Sequence, residues 1–199
     1  MAEPDSIRTR LKDGAEVLLR PVRPGDRHRF IEGLKLMSME SRYLRFFAPV
    51  VEFTEKQLDF LTEVDQVTHV AWGALDPQAP DFPGFGVARY VRLEEDPAVA
   101  EVAVAVIDEM HRQGLGGLLL GLLYVIAGRS GVAVFRGTIV PANRFLIEWA
   151  RGLDAVVRYT DGVYRVDVPV LKDSGGFPQS EEGEKFRGIV EQIEALLPA

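Results

Sequence analysis

The stretch Val99-Ala100-Glu101-Val102-Ala103-Val104-Ala105-Val106-Ile107-Asp108, continued by Glu109-Met110-His111-Arg112-Gln113-Gly114-Leu115-Gly116-Gly117, decides how the chain reads. Its first part is an apolar run of small and β-branched residues, which predicts a strand. Glycines then interrupt the run, and Gly114 to Ala127 predicts a long helix. A strand that feeds a glycine turn and then a helix leaves the first N–H groups of that helix free. The positive end of the helix dipole lies in the same place. Glycine lets phosphate oxygens approach the backbone with no Cβ in the way. Arg112 stands beside them as a charge-assisted donor. The unit suits a pyrophosphate, although the same glycines would also serve simply to pack a helix closely on a sheet. Two other phosphate motifs do not fit. Leu119 stands where G-x-G-x-x-G needs its last glycine, and no Gly-Lys-Ser/Thr occurs.

Toward the N-terminus, Ile7 to Leu11 and Glu16 to Val22 flank Lys12-Asp13-Gly14 and predict a β-hairpin. Pro24-Gly25-Asp26 opens a helix with Phe30, Ile31, Leu34 and Met37 at helical spacing. Ser38 is placed to cap a second helix through Phe47. Thr54-Glu55-Lys56-Gln57 has the pattern of a capping box. Thr68 to Leu75, Phe85 to Leu93 and Val99 to Asp108 predict an antiparallel meander.

Toward the C-terminus, Gly128 and Gly131 are expected to stop the long helix. A strand follows over Val132 to Val140. Pro141-Ala142-Asn143 starts a helix carrying Phe145, Leu146, Trp149, Ala150 and Leu153. Ala155 to Thr160 and Tyr164 to Val170 are strands that turn at Asp161-Gly162. Lys172 to Gly183 reads as a polar linker. Phe186, Ile189, Val190, Ile193, Leu196 and Leu197 form an amphipathic helix that folds back on the core or docks on a partner. The order predicts an α/β fold with a mixed sheet over residues 1–171, followed by a linker and helix over 172–199.

A chain of 199 residues with 47% apolar content is long enough to bury a real core in one domain. The net charge of −7 argues against a nucleic-acid partner and is compatible with cationic partners such as amines. With no cysteine, disulfides, thiolate zinc sites and a cysteine nucleophile are excluded. His28, His69 and His111 are too scattered for a metal site. Met1 to Ser6 lacks a signal-peptide pattern. The longest apolar run, Gly114 to Gly128, is too short and too rich in glycine to span a membrane. A cytoplasmic location with no membrane partner is expected.

The segment His111-Arg112-Gln113-Gly114-Leu115-Gly116 resembles the acetyl-CoA motif Gln/Arg-x-x-Gly-x-Gly/Ala of the GNAT N-acetyltransferase superfamily, with His111 departing from the usual first residue. Ile139-Val140-Pro141-Ala142-Asn143 resembles the family's later strand end and Asn-bearing helix start. The opening, Leu11 to Asp26 with Ser38-Met39-Glu40-Ser41-Arg42-Tyr43-Leu44-Arg45-Phe46-Phe47, resembles the GNAT domain of bacterial Pat-type protein lysine acetyltransferases. The resemblance covers about residues 7 to 171. It implies a mixed, largely antiparallel central sheet with helices on both faces, split at the acetyl-CoA site between the strand ending near Asp108 and the strand Val132 to Val140. It implies that backbone groups of Ala105, Val106 and Ile107 pair with the pantetheine, and that Asn143 lies beside it. His111, Arg112, Gln113, Gly114, Leu115, Gly116 and Gly117 are then the phosphate turn. No metal is implied.

Acetyl transfer to an amine needs a base, because a lysine-like amine is protonated at neutral pH. It also needs a donor for the oxyanion. The resemblance puts Glu101 in the position of the general base. Glu101 shares a strand face with Ala103 and Ala105, and partial burial would make it a stronger base. Glu94 and Glu95, acting through a water, are the alternatives. The oxyanion donor is expected from the N–H of Ala105 or Val106. The family's usual tyrosine is missing from the helix after Asn143, so water, Tyr159 or Tyr164 is left to protonate the thiolate. Arg42, Tyr43 and Arg45 are candidates for the acceptor side. The expected function is N-acetyl transfer from acetyl-CoA to a primary amine, on a protein lysine or a small molecule, with a homodimer possible. A non-catalytic module that senses acetyl-CoA is the alternative, and an interaction protein acting through its last helix is a third.

Overall fold

The expected hairpin forms as β1 (Ile7–Arg10) and β2 (Glu16–Pro21), paired antiparallel from Ile7↔Leu19 to Arg10↔Glu16. Its turn needs Gly14, which sits at φ +91°. The computed structural model describes residues 6–171 and 176–197. The expected linker residues 172–175 lie outside the described residues, as do residues 1–5 and 198–199. Eight strands are hydrogen-bonded in the order β1-β2-β3-β4-β5-β6-β8-β7. The chain divides into two compact units. One runs through Arg89 and includes Val104–Leu119. The other comprises Tyr90–Ala103 and the residues from Leu120 onward.

In the first unit, a single-turn helix at Pro24–Asp26 leads into α1 (Arg27–Lys35). Asp26 is buried and bidentate with buried Arg20, at 2.6 and 2.7 Å, and it also accepts from the Arg23 N–H at 2.9 Å. Burial alone would raise the Asp26 pKa, but the bonds from Arg20 and Arg23 outweigh it and hold the group below its ordinary value. Ser38 caps α2 (Met39–Phe46) through the Ser41 N–H. Thr54 and Gln57 form the expected capping box on α3 (Glu55–Thr62). Strand β3 (His69–Leu75) buries Val70, Trp72 and Ala74 as expected. It also buries Ala71 completely on the other face, as a central strand must. Strand β4 is Gly86–Arg92 and β5 is Val99–Val106.

Helix α4 spans Leu115–Arg129. The expected stop at Gly128 is not found. Gly128 is helical, where an added Cβ would meet Val170 at an ordinary 3.5 Å, and the left-handed stop is Gly131 at φ +85°. In the second unit, β6 (Val134–Ile139) runs parallel to β5 from Val99↔Val134 to Glu101↔Arg136. It is antiparallel to β8 (Val163–Pro169), which pairs with β7 (Val156–Thr160). Helix α5 is Arg144–Gly152. Helix α6 is Glu181–Leu196, so the last residues assigned to the linker are its first turn, capped by Ser180. It folds back within this unit. Phe186 meets the rings of Tyr124, Trp149 and Phe177 at 5.3, 5.4 and 5.9 Å, and Ile189 lies over Gly121 of α4.

Candidate active site

The glycine turn and the last residues of β5 (Val104, Ala105 and Val106) lie in the first unit. Glu101 and Asn143 lie in the second. After β5, Asp108–Met110 form a single helical turn. Arg112 is left-handed at φ +62° and Gly114 at φ +87°. The first bond of α4 runs from the Leu118 N–H to the Gly114 carbonyl at 3.0 Å, so the N–H groups of Leu115, Gly116 and Gly117 precede the ladder. A Cβ on Gly114 would meet nothing within 4 Å. One on Gly116 would meet only Val106 Cγ2, at 3.9 Å. Packing therefore does not require Gly116, and the space beside it is open to a ligand. Gln113 turns back, its side-chain nitrogen donating to the Glu109 carbonyl at 2.8 Å.

Asp108 ties this turn to the start of α2. Its Oδ2 accepts from the Ser38 N–H at 3.2 Å. Burial would raise its pKa, yet bonds from Ser38 and Ser41 hold the carboxyl below its usual value. The other oxygen, Oδ1, is shut off from water and has no hydrogen-bond partner. His111 is half-exposed. Its Nε2 lies 3.1 Å from the Val106 carbonyl oxygen and 3.9 Å from Asp108 Oδ1.

In an antiparallel pair, a residue sends its N–H and C=O to the same neighbour, and the next residue sends both away. The Ile107 N–H donates to the Phe85 carbonyl at 3.0 Å, and Val99 accepts from Leu93 at 2.9 Å. Odd-numbered residues of β5 therefore face β4. Even-numbered ones face the opposite edge, where Ala98 accepts from Ala133 and Val134. Ala105 faces β4, and the Ile107 carbonyl is also used, by the Met110 N–H at 3.0 Å. Val106 lies on the other edge, together with Val104, which the sequence reading did not name. The period of two along a strand was signal enough to find it. Val102 through Val106 are all half-exposed although β5 is internal to the sheet order.

Glu101 is exposed, so the expected partial burial is not found. Its register partner is Arg136, which holds Asp167 through Nε at 2.8 Å and Nη2 at 3.0 Å. That bond raises Arg136 above its ordinary pKa, with Glu101 and Glu95 adding to the effect, and lowers Asp167. Glu94 and Glu95 are exposed in the β4–β5 loop. Asn143 caps α5, its Oδ1 accepting from Leu146 at 3.2 Å, which leaves its amide N–H groups to donate. Tyr159 and Tyr164 are paired across β7 and β8 with rings 5.0 Å apart. Tyr124 is used as a clasp: its hydroxyl donates to Pro169 at 3.0 Å and accepts from Leu171 at 2.7 Å. Burial raises its pKa.

Among the acceptor-side candidates, Arg42 pins its own surroundings, donating to the Met37 and Val50 carbonyls at 3.0 and 3.1 Å. Tyr43 is exposed. Arg45 stacks 5.0 Å over the Phe46 ring, and burial lowers its pKa to about 10. A feature that no motif announced lies within electrostatic reach of Arg45. Buried Arg89 donates to the Phe60 and Leu61 carbonyls at the end of α3, at 3.3 and 3.0 Å, and to His69 Nε2 at 3.0 Å. Burial and Arg45 lower Arg89 to about 9. Burial and Arg89 lower His69 to about 4, so His69 is neutral and accepts. No group of side chains suited to a metal ion occurs among the described residues. No described helix is long and apolar enough to cross a membrane.

No family model matches the chain. The acetyltransferase Pat of Mycolicibacterium smegmatis is 36% identical over 169 residues, covering 82% of this chain and 49% of that protein. The chain thus spans about half the length of that relative. An acetyltransferase of Pseudomonas aeruginosa is 31% identical over 134 residues, covering 67% of this chain and 72% of that protein. The crystal structure of the GNAT domain of S. lividans PAT superposes with a TM-score of 0.75 at 26% identity, covering 82% of this chain and 96% of that one. The fold, with the identity to these acetyltransferases and the superposition on a GNAT domain, gives one conclusion: the chain belongs to the GNAT acetyltransferase family.

Proposed function

We propose that the chain is an N-acetyltransferase that moves an acetyl group from acetyl-CoA to a primary amine, on a protein lysine or a small molecule. The observation that carries this reading is the turn at Gly114 and Gly116. Its backbone is left-handed where a phosphate must approach, and open where a side chain would block it. The N–H groups of Leu115, Gly116 and Gly117, with Arg112 beside them, would hold the pyrophosphate. The edge shared by Val104 and Val106 would pair with the extended pantetheine arm. The bound thioester supplies the electrophilic carbonyl. Glu101 takes the proton from the acceptor amine, directly or through a water. A backbone N–H of Val104 or Val106 stabilises the oxyanion. The cosubstrate is a cytoplasmic metabolite, so this reading carries a cytoplasmic location.

A second reading, a module that binds acetyl-CoA without turnover, draws on the exposure of Glu101 and on a helix α5 without tyrosine. Both readings share the cofactor site. The melting temperature with and without acetyl-CoA, free CoA and NAD tests that site. Ligand at about 100 times its dissociation constant stabilises by ~2.7 kcal/mol, a rise of roughly 5–10 °C. A rise with either CoA species and none with NAD supports it. No rise with CoA would remove both readings.

A further inference from the structure

The proposed cofactor reading leaves two atoms unexplained in the free protein. The Val106 carbonyl, on the edge offered to the pantetheine arm, is already engaged by His111 Nε2 at 3.1 Å. Asp108 Oδ1 is buried with no partner, 3.9 Å from that same nitrogen. A carboxylate oxygen removed from water without a donor is costly. A small rotation of the ring would satisfy it, at the expense of the bond to Val106.

We propose that His111 is a latch with two alternative acceptors: it rests on the Val106 carbonyl in the free protein, and it closes on Asp108 Oδ1 when an amide of the ligand's pantetheine arm takes Val106. The inference rests on the acetyl-CoA reading. The exchange favours the bound state for two reasons. A bond to a carboxylate is stronger than one to a neutral carbonyl. The buried oxygen that lacked a donor then gains one. Nothing else in the turn need move, because Asp108 is already fixed by Ser38 through its other oxygen. His111 is thus a positioning residue. It rewards only those ligands whose arm reaches β5, and so favours CoA over its nucleotide fragment.

The test compares CoA with 3′-phospho-ADP, which carries the phosphates but no pantetheine arm. Affinities are measured by calorimetry for the wild-type chain and for His111→Ala. The latch predicts that His111→Ala weakens CoA binding about three- to tenfold and leaves 3′-phospho-ADP binding unchanged. Nitrogen-15 spectra of the wild-type imidazole add a readout that a merely structural role would not move: the Nε2 signal shifts on adding CoA and not on adding the nucleotide. An equal loss for both ligands would make His111 an ordinary phosphate contact and overturn the latch, leaving the cofactor reading in place. An unmoved Nε2 signal with CoA bound would overturn it as well. No CoA binding by the wild-type chain would overturn both.

Discussion

A Cβ built on Gly86 falls 2.8 Å from the carbonyl oxygen of Ala105 and 3.2 Å from Val106 Cγ2, so β4 approaches β5 more closely there than any side chain allows. Gly86→Ala forces the two backbones apart, because the atom met is backbone rather than a flexible side chain. The expected cost is about 1–3 kcal/mol, seen as a fall in melting temperature, with a weaker response to CoA than the wild type shows. A variant as stable and as responsive as the wild type would contradict the close approach.

Glu101 separates the enzyme from the sensor. Glu101→Gln keeps the size of the side chain and removes the base. Turnover with an amine acceptor should fall by about 10²–10⁴-fold, with the thermal shift by acetyl-CoA unchanged. An unchanged rate would pass the role to Glu94 or Glu95.

His69 predicts an acid-side weakness. Its folded pKa of about 4 lies below its ordinary value of 6.5. Between those values the unfolded chain binds a proton that the folded chain refuses. Stability is therefore lost as pH falls from about 6.5 to about 4, and this contribution is flat above that window. His69→Gln keeps an acceptor for Arg89 and does not titrate. Its melting temperature should fall less between pH 7 and pH 4.5 than that of the wild type. Parallel curves would assign the acid sensitivity elsewhere.

Phe186 anchors the last helix among three other rings. Phe186→Ala should cost about 3–5 kcal/mol, a drop of roughly 10 °C or more. A change of a degree or two would mean that α6 is only loosely held and is free to serve a partner.

Much of this was legible in the sequence for local reasons. Ser38, Thr54 with Gln57, and Gly14 each act within four residues of themselves, and each took its expected role. The turn at Gly114 was readable because a helix start and a left-handed glycine are local events. Gly128 was misread because a glycine near a helix end does not by itself stop the helix: the left-handed residue is Gly131, three positions on. Ala105 and Ile107 were named beside Val106 for a different reason. A resemblance carries a segment as a block, whereas hydrogen bonding selects every second residue. The Arg89–His69 cluster joins residues from two strands and a helix end, and only the folded chain assembles it.

The edge formed by Val104 and Val106 has a consequence for handling. A row of N–H and C=O groups at strand spacing does not distinguish a pantetheine arm from a peptide, since both offer amides in an extended line. On the proposed cofactor reading, selectivity would come from the phosphate turn and from His111, whose Nε2 lies 3.1 Å from the Val106 carbonyl oxygen. Any group on this edge left without a partner is the liability usually found at a sheet's rim, a template for strand addition by another chain, and His111 covers the Val106 carbonyl against it. The proposed cofactor reading therefore predicts that CoA present during concentration and storage reduces aggregation, through the same bonds that would hold it for chemistry.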